Sequence, residues 1–357
     1  MTIKGYLFFS RPNPTDEVPD PEWEILNEVP EPAENFLIEG LDYNTDVEFA
    51  AKAVDLAGNE SEMSEPLDVS TLTYTHNDDP LDEEDQLAID SIVKNYMKEI
   101  GLANTVQIAV TGPRGHYTQG YGVYKSPDYH WRIGSNTKLF TATAVLQCIQ
   151  DGLLSLDDTI EQFGVTWSVD AAHITIRHLL MMRAGIFDYT QDSSFGLMMY
   201  LWPTAATWTN MAYQHSLAFA RGQLWPAGKV YYYCNTNFLV LGDIVEKIRE
   251  KTIGEVVEQD ILAPLGMTET TWLPWVPPAP TMPGYGWDML FGAMPILGGI
   301  RNQTGFNPYA FKSSGQMSST VKDMTKWALE LCNSTLLEPE INALRQERFS
   351  IMPLAMN

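Results

Sequence analysis

From Leu139 to Ile149 the chain reads LFTATAVLQCI, and Leu139, Phe140, Ala142, Ala144, Val145, Leu146, Cys148 and Ile149 fall on nearly every side of a helix. A helix without a polar face must be wrapped by the rest of a core. This segment therefore demands a domain large enough to enclose it. A chain of 357 residues with 45% hydrophobic and 11% aromatic content can supply one. The helix is entered through Ile133-Gly134-Ser135-Asn136-Thr137-Lys138. The chain turns at Ile133-Gly134 and enters the helix at Ser135 itself, and Lys138 shares its face because positions i and i+3 are neighbours. Free N–H groups at a helix start favour developing negative charge. Apolar walls disfavour an ammonium ion and move a lysine toward a useful base. A serine nucleophile needs that combination.

Ser-x-x-Lys occurs three times, so spacing alone does not single out Ser135. Ser91 and Lys94 fall inside DQLAIDSIVKNYMKEIG, where Leu87, Ile89, Ile92, Val93, Tyr96, Met97 and Ile100 form one helical face closed by Gly101. They read as surface helix residues. Ser319 or Thr320 followed by Asp323 is a capping arrangement at a helix start, which accounts for the third copy, Ser319-Thr-Val-Lys322. VQIAVTG and GHYTQGYGVY, joined through Pro113-Arg114-Gly115, read as a hairpin.

The net charge of −24 is unevenly placed: residues 1–85 hold 23 acidic and 3 basic side chains, residues 86–357 hold 23 and 19. Neither part clusters the Lys and Arg that phosphate contacts require, which argues against nucleic-acid binding. The acidity favours solubility, with contact to a basic partner surface as the sharper alternative. No stretch approaches the roughly 18–20 apolar residues of a membrane span, and the N-terminus MTIKGYLFFSRPNPTD lacks a signal-peptide pattern. Cys148, Cys234 and Cys332 are too few and too scattered for a disulfide framework or a zinc site. Neither metal nor cofactor is expected, and synthesis in a reducing cytoplasm is the simple reading.

Short β-like runs (GYLFF, EWEILNEV, NFLIEGL, VEFAAKAV, LDVSTL) alternate with turn residues over residues 1–72, an all-β module. The acidic stretch Thr73–Asp85, with six carboxylates and a proline, reads as a solvated linker running into a helix cap, and residues 86–357 form the second domain. The run from Glu39 to Leu72 resembles the second half of a fibronectin type III domain. Leu41, Thr45, Phe49, Ala51, Val54, Asp55, Gly58, Asn59 and Ser61 carry the likeness. Val47 holds the corner tyrosine position, and about five strands stand where seven are usual.

Residues 106–331 resemble the serine β-lactamase-like superfamily, nearest its class C and D-alanyl-D-alanine carboxypeptidase branch. Five ordered segments carry the resemblance: WRIGSNTKLFTATAVLQCIQDGLLSLDDTI, ITIRHLLMMRAGIFDYT, WPAGKVYYYCNTNFLVLGDIVEKI, ILAPLGMTETTW and SSGQMSSTVKDMTKW. The fold implied is α+β, rich in helix. The resemblance makes Ser135 the acylated nucleophile, Lys138 its proton-transfer partner, Tyr233 the general acid/base and Asn235 the residue that orients the substrate amide. Tyr233-Cys234-Asn235 is the chain's sole Tyr-x-Asn. Cys234 reads as a small packed residue, and His173 and His178 as packing or hydrogen-bonding residues. The Ser135 N–H would be one arm of an oxyanion hole.

The family's third motif, Lys-Thr-Gly or His-x-Gly on a late strand, is not found after the SST segment. Lys251-Thr-Ile-Gly254 and Lys312-Ser-Ser-Gly315 resemble it in the wrong places. The last strands of the domain are therefore expected to be missing or supplied by another chain. A fibronectin-like module joined to a carboxypeptidase-like domain resembles the minor tail proteins of tailed phages that infect actinobacteria. That likeness implies a virion tail component acting on, or binding, envelope peptidoglycan D-alanyl peptides or esters. Its partners would be other tail proteins or copies of itself, with no membrane insertion. A cytoplasmic serine esterase of the same fold and a non-catalytic envelope-binding protein are the competing expectations.

Overall fold

The computed structural model describes residues 3–12, 21–26, 46–70, 77–100, 105–165, 170–195, 197, 211–272, 277–290, 294–302, 304–305 and 307–346. The chain forms two compact units, Met1–Asn77 and Asp78–Asn357.

The first unit is an antiparallel sheet in the order β2-β1-β3-β4, with β1 at Ile3–Pro12, β2 at Glu24–Ile25, β3 at Asp46–Asp55 and β4 at Leu67–Ser70. Leu7, Ala50 and Val54 share one face of the sheet and are buried, and Val47 is buried on the other face. After β3 the chain turns on Asp55, whose Oδ1 accepts from the Ala57 and Asn59 amides (2.8 and 2.9 Å). The runs GYLFF, VEFAAKAV and LDVS are strands. NFLIEGL lies outside the described residues.

In the second unit α1 spans Glu83–Ile100. It begins inside the stretch read as a linker, because Asp82 caps the Asp85 amide (2.8 Å) and Glu83, Glu84 and Asp85 favour the positive end of the helix dipole. Asp90 ties α1 to the hairpin of β5 (Thr105–Gly112) and β6 (Gly115–Gly122). Its Oδ1 accepts from the Tyr121 and Tyr117 hydroxyls (2.5 and 2.9 Å) and its Oδ2 from Lys94 (2.9 Å). These donors, Tyr121 first, hold the Asp90 carboxyl down to about 2. The lysine of the first Ser-x-x-Lys copy is thus engaged with Asp90.

Strand β7 (Trp131–Arg132) leads through a single 3-10 turn, Gly134–Asn136, into α2 (Thr137–Gln150). Helices α3 (Ile176–Leu180), α4 (Met211–Arg221), α5 (Asn235–Arg249) and α6 (Ile253–Val257) follow. Then come a hairpin of β8 (Tyr285–Leu290) and β9 (Met294–Asn302), the short β10 (Ser318–Ser319), α7 (Val321–Asn333) and α8 (Pro339–Gln346). Helix α2 runs through the core as its composition requires. Phe140, Ala144, Val145 and Cys148 are fully buried in one cluster with Leu241, Ile244 and Val245 of α5 and Val256 and Val257 of α6. Phe140 stacks on Trp327 of α7 with ring centroids 4.0 Å apart. Leu139 is the exception; it stays exposed beside a cleft that Leu180 and Leu344 also line. Thr320 caps α7 by accepting from the Asp323 amide, so the third Ser-x-x-Lys sits at a helix start.

Four contacts set the mouth of α2 in place. Antiparallel β10 pairs with β7, and the Ile133 amide donates to Met317 O (3.0 Å). Thr137 Oγ1 then accepts from the Met317 amide (3.2 Å), and Thr141 Oγ1 donates to Ser313 O (2.8 Å). Residues 313–319 are thereby stapled across the first turns of α2.

Candidate active site

Gly134, at φ +53°, supplies the left-handed step that turns the chain into the helix, a conformation open to glycine without strain. This leaves Ser135 exposed at the helix mouth while Lys138 points inward and is only 5% exposed. Tyr233 and Asn235 arrive from the opposite side, on the extended chain and first turn of α5. The turn before them is held by Gly185 (φ +72°), whose carbonyl accepts from the Leu224 amide (2.7 Å); any Cβ there would collide with the Trp225 carbonyl.

The four residues singled out in the sequence meet in one place. Lys138 Nζ donates to Ser135 Oγ (3.1 Å), Asn235 Oδ1 (2.8 Å) and Ser314 O (2.7 Å), so all three of its protons are placed. The Tyr233 hydroxyl donates to Ser135 Oγ at 2.7 Å. Tyr233 itself is 45% exposed, so the serine lies between a buried amine and a solvent-facing phenol. The Lys138 ammonium also sits 5.0 Å from the Tyr233 ring centre. Burial pushes Lys138 below the ordinary lysine range, against the opposing pull of Tyr233 and of the buried Asp188.

Three further residues complete the arrangement, and sequence patterns did not single them out. Asn235 Nδ2 donates to Asp188 Oδ2 (3.0 Å) and to Thr190 Oγ1 (3.2 Å). Ser314 belongs to the Lys312–Gly315 segment that resembles the late-strand motif. Here the segment is a 3-10 turn whose Ser314 carbonyl receives a proton of Lys138. The other such segment, Lys251–Gly254, starts α6, with Thr252 as its cap. The local signal at Asp188 is an Asp two residues before a Thr, the pattern of an Asx turn.

Cys234 is 1% exposed, its thiol donates to the Ile186 carbonyl (3.4 Å), and burial pushes it up to about 12. Cys148 is buried and raised for the same reason. A thiol reagent such as DTNB is therefore expected to find at most Cys332 in the native protein and all three thiols after denaturation. Rapid modification of two or more native thiols would contradict this packing. His178 completes a capping box with Thr175, and His173 bonds to Asp170. Among the described residues no group of three or more His, Cys, Asp or Glu is placed to hold a metal ion.

A serine at the mouth of a buried helix, hydrogen-bonded to both a buried lysine and the tyrosine of a Tyr-x-Asn, defines a Ser-Lys-Tyr type of centre. The chain belongs to the Beta-lactamase family, whose sequence profile matches residues 89–351. It is 26% identical over 205 residues to Protein flp of Staphylococcus aureus (strain COL), covering 54% of this chain and 39% of that protein. It is 30% identical over 164 residues to Penicillin-binding protein 4 of Amycolatopsis lactamdurans, covering 44% and 39%. The chain thus spans about two fifths of the length of these curated relatives. Among solved structures it resembles a D-stereospecific amidohydrolase from Streptomyces sp., with 27% identity, TM-score 0.59 and coverage of 67% of this chain and 71% of that one. The fold also matches a penicillin binding protein from Bacillus halodurans, with 23% identity, TM-score 0.60 and coverage of 73% and 79%. No described helix is long and apolar enough to cross a membrane.

Proposed function

We propose that this chain is a serine acyl hydrolase of the penicillin-binding type, acting on D-alanyl or other D-amino-acid amides of the bacterial envelope. The observation that carries the proposal is Ser135 Oγ held by both Lys138 Nζ and the Tyr233 hydroxyl. The solved relative with 27% identity is a D-stereospecific amidohydrolase, which supports a D-configured amide substrate.

In this reading neutral Lys138 takes the Ser135 hydroxyl proton as Oγ forms its bond to the substrate carbonyl carbon. The carbonyl π electrons move to oxygen, where the Ser135 N–H is one stabilising donor. As the C–N bond breaks, the proton passes through the Lys138–Tyr233 pair to the departing amine. Water then attacks the acyl-enzyme ester, losing a proton to the same pair, and Ser135 leaves as the hydroxyl. Asn235 orients the substrate: of its two N–H bonds, the one to half-buried Thr190 is the longer, and a substrate carbonyl can take it over.

Acylation needs the amine form of Lys138. That form appears as pH rises through a pKa that burial has lowered, so labelling of Ser135 should rise with pH and level off below the ordinary lysine range. A rate that keeps climbing through the ordinary lysine range would place the base elsewhere. The substrate class is tested by comparing D-alanyl-D-alanine peptides, D-amino-acid amides, their L-isomers and a nitrophenyl ester, with Ser135→Ala as control. Serine-dependent release from D-amides supports the proposal. Turnover of the ester alone would make the protein an esterase.

For its setting we infer a virion tail component that reaches the envelope from outside. The reading is supported by the resemblance of residues 39–72 to half of a fibronectin type III domain, joined here to a hydrolase-like domain. Detection of the chain in purified virions tests it, and recovery only from uninfected cells would end it.

A further inference from the structure

The Asn235 amide stands between a lysine and a carboxylate. Its Oδ1 accepts from Lys138 Nζ (2.8 Å) and its Nδ2 donates to Asp188 Oδ2 (3.0 Å). An ammonium on one side and a carboxylate on the other allow only one amide orientation. Asp188 is 2% exposed, and its other oxygen accepts from the Thr190 amide (3.0 Å) and hydroxyl (2.9 Å). The segment carrying it is fixed on both sides. Thr236 Oγ1 accepts from the Tyr189 amide (3.0 Å) and donates to Phe187 O (2.8 Å), while the Tyr189 hydroxyl donates to Ala310 O (2.7 Å). A carboxylate buried this firmly, with every bond received from a donor, serves whatever those donors orient.

We propose that Asp188 is a positioning residue for acyl transfer, fixing the Asn235 amide so that its oxygen holds Lys138 Nζ on Ser135 Oγ. It does not touch Ser135; it acts through Asn235 and through its charge on Lys138. The inference rests on reading Ser135 as the nucleophile. The titratable groups that face Lys138 from its surroundings are Tyr233, Asp188 and the Cys234 thiol.

An asparagine side chain in place of the Asp188 carboxylate cannot serve both neighbours. With its oxygen kept on the Thr190 amide, its NH2 faces the Asn235 NH2. Asn235 must then flip and turn its own NH2 toward Lys138. The double variant Asp188→Asn/Asn235→Asp restores the bonds between the two side chains, to the Thr190 amide and to Lys138, and gives up only the donation to Thr190 Oγ1, whose single proton can serve position 188 or 235. Its introduced amide donates to its introduced carboxylate, and Lys138 donates to that same carboxylate.

The test measures fluorophosphonate labelling of Ser135 against pH for the wild type, Asp188→Asn and the double variant. Lys138 is titrated in parallel by NMR of protein carrying 13Cε-lysine. Asp188→Asn is expected to label about 10²-fold more slowly and to lower the Lys138 pKa, since the ammonium loses an acceptor and a nearby negative charge. The double variant should recover at least about tenfold of that loss, with its rate rise moved above the wild-type pH by the carboxylate now on Lys138. A single variant with unchanged labelling and unchanged Lys138 titration overturns the proposal. So does a folded double variant as slow as the single one. If wild-type Ser135 proves unreactive while Lys138 titrates as stated in all three proteins, the hydrolase reading fails and the role in acyl transfer with it, while the fixing of Asn235 and Lys138 by Asp188 stands.

Discussion

Lys138→Met is expected to slow acylation of Ser135 by about 10²–10⁴-fold while leaving the protein nearly as stable. Methionine matches the length of the lysine stem but cannot accept the serine proton. Burial decides the effect on stability. Lys138 is 5% exposed and spends its three protons on Ser135, Asn235 and Ser314. Removing it orphans two buried acceptors, at a cost of about 1–3 kcal/mol each, but it also removes a buried charge whose desolvation is itself costly. The two effects oppose each other, so thermal melting should move little while labelling nearly stops. A variant that labels at the wild-type rate would show that the proton goes elsewhere.

Phe140→Ala should be the most damaging single truncation on α2, costing about 3–5 kcal/mol. Its ring is 0% exposed and stacks on Trp327, which is 1% exposed, so the change strips a fully buried side chain and leaves a cavity against the neighbouring indole. Phe140 is two residues from Lys138, on the helix whose entry turn carries Ser135. Unfolding in urea should show the loss as a lower midpoint with an unchanged slope. An unchanged midpoint would mean that the α2–α7 contact contributes nothing to the core.

The sequence exposed the parts of the site whose signals are local. A helix apolar on nearly all sides with Ser135 at its mouth is visible within one short window. So is the Tyr-x-Asn that precedes α5. Capping explained Ser319–Lys322 from its own neighbours. What stayed hidden depends on distant pairings. Asp188 meets Asn235 across 47 residues, and Ser314 meets Lys138 across 176. No periodicity marks such contacts, because they are made by loops that the core brings together. Helix α1 starts at Glu83, two residues before the helical pattern read from Asp85, because the carboxylates that end the linker also stabilise a helix N-terminus. The Lys312–Gly315 segment shows how a motif-like string can matter for another reason, since its contribution is a backbone carbonyl that no residue type announces.

A Ser135 nucleophile activated by Lys138 and Tyr233, as proposed, should react covalently with acylating reagents. The most direct measurement is the intact mass of the protein after exposure to benzylpenicillin and, separately, to a fluorophosphonate, with peptide mapping of any adduct. One added acyl or phosphonyl group is expected, located on Ser135 and lost in Ser135→Ala. An unmodified mass with both reagents, or an adduct that persists in Ser135→Ala, would contradict it.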